Sequence, residues 1–334
     1  MKILAIESSC DETSAAVVEN GQDVLSNVVS TQIDIHKQFG GVFPEVASRL
    51  HVEKINFVIK ESLEKANVTF DDIDAIAVTE GPGLVGSLHV GVTAAKSLAW
   101  ALDKPLIPVH HIAGHIYANK LSGTLEFPLL SLVVSGGHTE LIYMESDYHF
   151  EIIGKTQDDA VGEAYDKVAR LLGLSYPGGP VIDKMAQQGK ANYILPKVKT
   201  DNPLDFSFSG LKSAVRQLTL REERNDRPVI VEDVAYAFQH AAVNELVSRV
   251  KKALSLYDVK TLALAGGVAA NSEVRKQMNG LKDTYPELNI LQPPLWACMD
   301  QAAMIGLAAF TAFEKGARAT CELTAQSNKQ LQSY

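Results

Sequence analysis

Hydrophobic positions along the chain come in two kinds of run. Short, mostly apolar runs at residues 3–6, 73–78, 106–109, 129–134, 262–265 and 288–291 are too brief for helices and predict buried strands. Longer stretches repeat near the helical period. Residues 44–65 carry Val46, Leu50, Ile55, Val58, Ile59 and Leu63, and 86–102, 158–172, 209–220 and 231–256 also read as helices. Further helices start at Ser272 and at Asp300. This alternation predicts an α/β chain whose partly parallel sheets are covered by helices.

The pattern also repeats. Strand 3–6 runs into a loop of small polar residues, 7–14, and then a hairpin, 15–18 and 24–29, turns at Asn20-Gly21. Strand 129–134 runs into Ser135-Gly136-Gly137-His138-Thr139, followed by strands 141–144 and 150–153 around a turn at Ser146-Asp147. Each copy is followed by helical sequence, so the chain predicts two lobes of one design. Loops of small residues let backbone N–H groups close on phosphate, which points to a nucleotide gripped from both sides.

The length of 334 residues fits two domains. Lobe I is expected at 1–125 with the C-terminal helix 299–320, and lobe II at 126–298. The longest strongly apolar uncharged run, 302–313, falls short of the roughly 20 residues that cross a bilayer, so no membrane association is expected. The first residues lack the pattern of a secretory leader. Cys10, Cys298 and Cys321 have no paired spacing, against a disulfide framework or a cysteine zinc knuckle. A cytoplasmic protein is expected.

With 31 basic and 40 acidic residues the net charge is -9, which excludes a generally basic nucleic-acid-binding surface and leaves local contacts only. The basic stretch 197–227 and the cluster Arg249, Lys251 and Lys252 read as solvated helix faces.

Gly81-Pro82-Gly83-Leu84-Val85-Gly86 has dinucleotide-fingerprint spacing. The strand after it ends in His110 and His111 rather than a ribose-binding acid, so a structural turn or a backbone anion nest explains the glycines better. There is no P-loop, since residues 91–97 lack the glycine before Lys96, which reads as a helix-surface residue.

His111 and His115 stand at i and i+4, a spacing that can chelate one cation from a helix face. Polar packing is an equal reading of the residues alone. Ile112 stands where a zincin protease needs a glutamate, which excludes that chemistry. Asp300 reads by default as a helix cap, with a third metal ligand as the alternative. Residues 266–271, from Gly266 to Asn271, would let an adenine lie against backbone, or would simply form a turn capped by Asn271.

Together these loops resemble the actin-like, Hsp70-like and sugar-kinase superfamily. The chain further resembles, nearly end to end, the tRNA N6-adenosine threonylcarbamoyltransferase family, once described as O-sialoglycoprotein endopeptidases. The resemblance is carried by Glu7-Ser8-Ser9-Cys10-Asp11-Glu12-Thr13-Ser14, Pro44-Glu45-Val46-Ala47-Ser48-Arg49, Gly81-Pro82-Gly83-Leu84, His111-Ile112-Ala113-Gly114-His115 and Val134-Ser135-Gly136-Gly137-His138-Thr139. It continues through Gly162-Glu163-Ala164-Tyr165-Asp166-Lys167, Pro177-Gly178-Gly179-Pro180, Phe206-Ser207-Phe208-Ser209-Gly210-Leu211-Lys212 and 266–271.

The resemblance implies the two-lobed actin-like ATPase (ASKHA) fold, with duplicated ribonuclease-H-like domains around a nucleotide cleft. It implies that His111, His115 and Asp300 bind one divalent metal ion, iron or zinc. It implies that Val133, Val134, Ser135, Gly136, Gly137, Asp166, Gly179, Asp183 and Asn271 hold threonylcarbamoyl-AMP. The implied reaction passes the threonylcarbamoyl group to N6 of the adenosine just 3′ of the anticodon, in tRNAs that read codons beginning with A. Asp11 or Glu12, in the first loop, would orient or deprotonate that amine. Implied partners are tRNA, a paralogous protein of the same fold and a small P-loop ATPase, with a homodimer also open. The loops alone equally allow an ATPase or small-molecule kinase, or a nucleotide-gated scaffold.

Overall fold

The computed structural model describes residues 1–333, and the chain divides into two compact units. Unit 1 comprises residues 1–124, 147–150 and 293–334, and unit 2 comprises 125–146 and 151–292.

Unit 1 begins with strands β1 (Lys2–Glu7), β2 (Glu12–Glu19) and β3 (Asp23–Thr31), a short helix α1 (Ile33–His36) and the long helix α2 (Pro44–Ala66). It continues with β4 (Ala75–Gly81), α3 (Val85–Leu102), β5 (Leu106–His110) and α4 (His111–Tyr117). The sheet order is β3-β2-β1-β4-β5, antiparallel across β1, β2 and β3 and parallel across β1, β4 and β5.

Unit 2 holds β6 (Leu129–Val134), β7 (Thr139–Met144), β8 (Glu151–Lys155), α5 (Val161–Leu171), α6 (Gly178–Ala186), α7 (Ser209–Arg224), α8 (Val231–Leu254), β9 (Thr261–Ala265), α9 (Ser272–Asn279) and β10 (Asn289–Leu291). Its order β10-β9-β6-β7-β8 is the same plan, with β6 in the place of β1 and β9 in the place of β4. The duplicated α/β design predicted from the repeat is therefore present.

The central strands read as nearly continuous apolar runs because helices cover both faces of the unit 1 sheet. Leu4, Ile6, Ile76 and Val78 join Ile55, Val58, Ile59 and Val92 of α2 and α3 in one buried cluster. The opposite face is covered by α10 (Ala302–Glu314), which returns to unit 1 from the far end of the chain. Its Gly306 lies so close to the sheet that an added Cβ would stand 2.5 Å from Val18 Cγ2.

Several expectations need correction. The first loop is only residues 8–11, because β2 already begins at Glu12, which pairs with Thr31 across the hairpin. Strand 73–78 shifts to Ala75–Gly81, since the polar Thr79 gains a ladder partner in Val109 of β5. Helix 158–172 begins only at Val161. Asp158 instead accepts hydrogen bonds from the backbone N–H groups of Phe208 and Ser209 at the start of α7. Strand 150–153 is found at Glu151–Lys155. Helix α6 was not predicted at all; nine residues with two leading glycines give little periodic signal. Lys197 and Lys199 lie on an irregular segment rather than a helix. Lys96 is half-buried and donates to the Leu323 carbonyl at 3.0 Å, so it is not a free surface residue.

Candidate functional site

In unit 1, β5 runs directly into α4, all of whose residues are buried. Gly114 allows this, because a Cβ there would meet Ile305 Cδ1 at 2.8 Å, so α4 packs tightly on α10. The close approach brings the segment before α10 to the two histidines. His115 Nε2 is 3.1 Å from Asp300 Oδ1, and His111 Nε2 is 3.5 Å from the same oxygen. Asp300 is not the cap of α10, as read by default from the sequence. That place belongs to Gln301, whose side chain accepts from the Met304 N–H.

The cluster suits a transition-metal ion. One donor atom from each of His111, His115 and Asp300 lies within 4.8 Å of the others. Donors bound about 2.1 Å from one ion stand roughly 3.0–3.4 Å apart, close to both spacings. Both ring nitrogens of His115 are buried without a hydrogen bond, and an ion at Nε2 would relieve one of them.

Behind His111 stands a residue the sequence did not single out. Glu7 is fully buried, and its carboxylate lies 3.1 Å from His111 Nδ1. It also accepts from the Thr79 hydroxyl and from the Ser9 N–H. A carboxylate on the far nitrogen of a ligating imidazole fixes the tautomer and turns the other nitrogen to the ion. Burial alone would lower the His111 pKa, but Asp300 and Glu7 outweigh it and hold the imidazole up at about 9. Burial would raise Glu7, and the His111 charge and hydrogen bond outweigh that, so Glu7 is held low. The only local sequence signal for Glu7 was an acid ending a buried strand.

Asp11 and Glu12 differ more than their adjacency suggests. Asp11 is half-buried, and its carboxyl is raised by burial and by the Asp300 charge. Glu12 is buried on β2, bonded through one oxygen to Thr31 at 2.9 Å while the other has no partner. Burial, then the Asp11 charge, raise it to about 8. The Cys10 thiol is raised well above its usual range by burial and by Asp11, which rules it out as a resting thiolate nucleophile.

The Glu12 shift has a sign. From its unshifted 4.5 up to about 8 the folded protein holds the proton more tightly, so that contribution is full below 4.5 and lost as pH rises through about 8. Glu12→Gln should therefore make metal-free protein more stable than wild type near pH 9, by roughly 1–3 kcal/mol, and flatten its pH dependence. Urea unfolding near pH 5 and near pH 9 checks this; parallel losses in both proteins would contradict it.

In unit 2, the nucleotide-binding residues implied by resemblance sit on one connected set of elements. Ser135, Gly136 and Gly137 form the β6–β7 loop, and the Ser135 carbonyl accepts from Gly162 N–H of α5 at 3.1 Å. An added Cβ on Gly266 would lie 2.5 Å from the Val134 carbonyl oxygen, so the turn after β9 presses on the same strand end. Asp166 of α5 accepts from Gly178 N–H of α6 at 2.7 Å. Asp183 of α6 accepts from Ser272 Oγ at 2.7 Å, Ser272 N–H at 3.1 Å and Gln239 Nε2 at 3.0 Å. Val133 and Val134 have fully buried side chains, leaving only backbone for a ligand.

Asn271 caps α9, accepting from the Glu273 and Val274 N–H groups, and donates to Gln239 Oε1 at 2.9 Å. Of the two alternatives for the 266–271 turn, the structure realises the cap. Gln239, the hub of this network, was missed, because a lone glutamine inside a long amphipathic helix has no sequence signature. A Cβ on Gly136, Gly137 or Gly179 would meet nothing within 4 Å, as would one on Gly173, Gly210, Gly280 or Gly316. The open space at Gly136, Gly137 and Gly179 leaves room for a ligand against the backbone.

Among the described residues, no helix is long and apolar enough to cross a membrane. The family model for tRNA N6-adenosine threonylcarbamoyltransferase matches residues 23–307. A curated protein of that name from Bacillus licheniformis is 54% identical over 333 residues, covering 99% of this chain and 98% of that protein. Another, from Staphylococcus haemolyticus, is 54% identical over 332 residues, covering 99% and 96%. Among solved structures, the activator of 2-hydroxyisocaproyl-CoA dehydratase from Clostridium difficile with bound ADPNP aligns over 94% of this chain and 97% of its own, with a TM-score of 0.54 at 14% identity. HypF of T. kodakarensis aligns over 94% of this chain and 48% of its own, with a TM-score of 0.63 at 15% identity. The two structures agree with the fold, and on the family match and the close relatives the chain belongs to the tRNA N6-adenosine threonylcarbamoyltransferase family.

Proposed function

We propose that the chain transfers the threonylcarbamoyl group of threonylcarbamoyl-AMP to N6 of the adenosine just 3′ of the anticodon. The observation that carries this reading over a kinase or ATPase of the same fold is the His111, His115 and Asp300 cluster. Phosphoryl transfer from ATP relies on magnesium, a hard cation held by oxygens, whereas two imidazoles favour zinc or iron.

In this reading unit 2 holds the nucleotide. Gly136, Gly137 and Gly179 leave room for phosphate and nucleoside against backbone, with N–H groups as donors. Asp166 and Asp183 accept from the ribose hydroxyls; their existing hydrogen bonds aim the carboxylates and leave lone pairs over. Asn271 and Gln239 fix the position of Asp183.

Unit 1 supplies His111, His115 and Asp300 as ligands, with Glu7 holding the His111 ring. A bound ion supplies Lewis-acid stabilisation of the acyl oxygen or of the departing phosphate. The N6 amine forms a bond to the carbamoyl carbon, the carbon–oxygen bond to phosphate breaks, AMP departs and the amine gives up one proton. An aromatic exocyclic amine is a weak nucleophile, so positioning contributes heavily. Asp11 accepts from that amine. Glu12, whose raised pKa of about 8 leaves it mostly protonated at neutral pH, is less often available as a base.

The acidic chain works on tRNA in the cytoplasm with a paralogous protein of the same fold and a small P-loop ATPase. The test combines purified protein, those two partners, pre-formed threonylcarbamoyl-AMP, zinc or ferrous iron, and an unmodified tRNA. Mass spectrometry of the digested tRNA should show threonylcarbamoyladenosine. Unmodified tRNA, together with phosphorylation of a small molecule by ATP, would replace this reading with the kinase.

A further inference from the structure

The turn Gly81-Pro82-Gly83, read from sequence as a structural turn or an anion nest, receives the C-terminal tail instead. A Cβ on Gly81 would stand 2.0 Å from the Gln326 carbonyl oxygen and 2.9 Å from Lys329 Cβ. Gln326 N–H donates to the Glu80 carbonyl at 2.8 Å, and Gly83 N–H donates to the Ser327 carbonyl at 3.2 Å. Lys329 Nζ lies 3.1 Å from Glu80 Oε1, with both side chains largely buried. The other side of this turn touches the first loop, where Leu84 N–H donates to the Ser9 carbonyl at 2.7 Å.

The tail also reaches the helix that carries the metal ligands. His110, buried at the end of β5, caps α4 with its ring: Nδ1 accepts from Ile112 N–H at 3.2 Å. That bond requires a bare Nδ1, so the proton of the neutral ring sits on Nε2, which lies 3.0 Å from the Lys329 carbonyl oxygen and donates to it. One imidazole therefore joins the tail to the first turn of α4, directly before His111.

We propose that residues 326–329 form a strap that positions the metal centre through His110, with Glu80 and Lys329 as the clasp. None of these groups supplies a metal ligand in this reading. Their effect runs through the cap of α4, whose direction sets where His111 and His115 point, and through the first loop, where the Ser9 hydroxyl lies 3.1 Å from His111 Nδ1. Partners of this indirect kind commonly change metal affinity by about 10–100-fold. The inference rests on the metal reading above, and its test separates the two.

Full-length protein is loaded with zinc(II), and its release to a chromogenic chelator is timed, with melting temperature recorded alongside. Lys329→Met and His110→Ala should each release zinc about 10-fold faster than wild type or more. His110→Asn, whose carboxamide oxygen can stand where Nδ1 does and accept from Ile112 N–H, should release it more slowly than His110→Ala. A purely structural strap would lower the melting temperature without separating His110→Asn from His110→Ala in zinc release. If His110→Ala does not fold, Lys329→Met, which leaves α4 untouched, carries the test. Zinc release within about two-fold of wild type in Lys329→Met overturns the strap alone. Wild-type protein that holds no zinc overturns the metal reading and the strap with it.

Discussion

His115→Ala should leave the protein folded, empty of its metal and at least about 100-fold slower in transfer, because loss of Lewis-acid stabilisation removes several kcal/mol at the transition state. The fold should survive, since the polar contact that the truncation removes is the 3.1 Å approach of Nε2 to Asp300, which makes no hydrogen bond. What is lost is packing, including the edge-to-face contact with His111 at 4.7 Å between ring centres. That costs about 1–3 kcal/mol, within the stability of an ordinary domain. Elemental analysis and the tRNA digest are the measurements. Stoichiometric metal in the variant would remove His115 from the ligand set, and full transfer without metal would remove the ion from the reaction.

At Asn271 the expected results of two substitutions differ, and the difference is the informative part. Asn271→Ala deletes both the cap of α9, worth about 1 kcal/mol, and the donor to Gln239. Asn271→Asp keeps an oxygen for the cap but turns the Nδ2 donor into an acceptor. Gln239 could answer only by flipping its amide, which would set its carbonyl against the Asp183 carboxylate in place of the present 3.0 Å donor contact. Asn271→Asp should thus keep the helix cap that Asn271→Ala loses, while both give up stability at Gln239. Both should weaken threonylcarbamoyl-AMP binding about 10-fold or more, as expected for a buried polar group left unpaired, with zinc affinity unchanged. Calorimetric titration with the adenylate and with zinc reads each. Adenylate affinity at the wild-type level in Asn271→Asp would reduce the residue to a helix cap.

The sequence made the central strands legible because β1, β4, β6 and β9 are buried on both faces, which favours nearly continuous apolar runs. The repeat was legible for the same reason: two copies of one sheet order impose two copies of one pattern. What escaped was everything set by partners distant in the chain. Glu7 and Gln239 are ordinary residues of a strand end and a helix interior until His111, Asp183 and Asn271 are brought to them. Asp300 looked like a cap because an acid before an apolar helix has that local meaning, and only the packing of α4 on α10 places it beside His115. The boundary of the first loop failed because small polar residues such as Thr13 and Ser14 can be strand as readily as loop when buried. Here they are fully buried, in register with β1 and β3.

The order in which the chain is made bears on its chemistry. His111 and His115 leave the ribosome long before Asp300, and α10, which covers the open face of the unit 1 sheet, emerges later still. Residues 125–146 and 151–292, the whole of unit 2, are complete by then. On the proposed reading, a nascent or prematurely ended chain therefore has all the proposed nucleotide-binding residues while Asp300, the third proposed metal ligand, and α10 are missing. On that reading metal capture would follow completion of the chain, and a truncated product would carry an uncovered apolar sheet face.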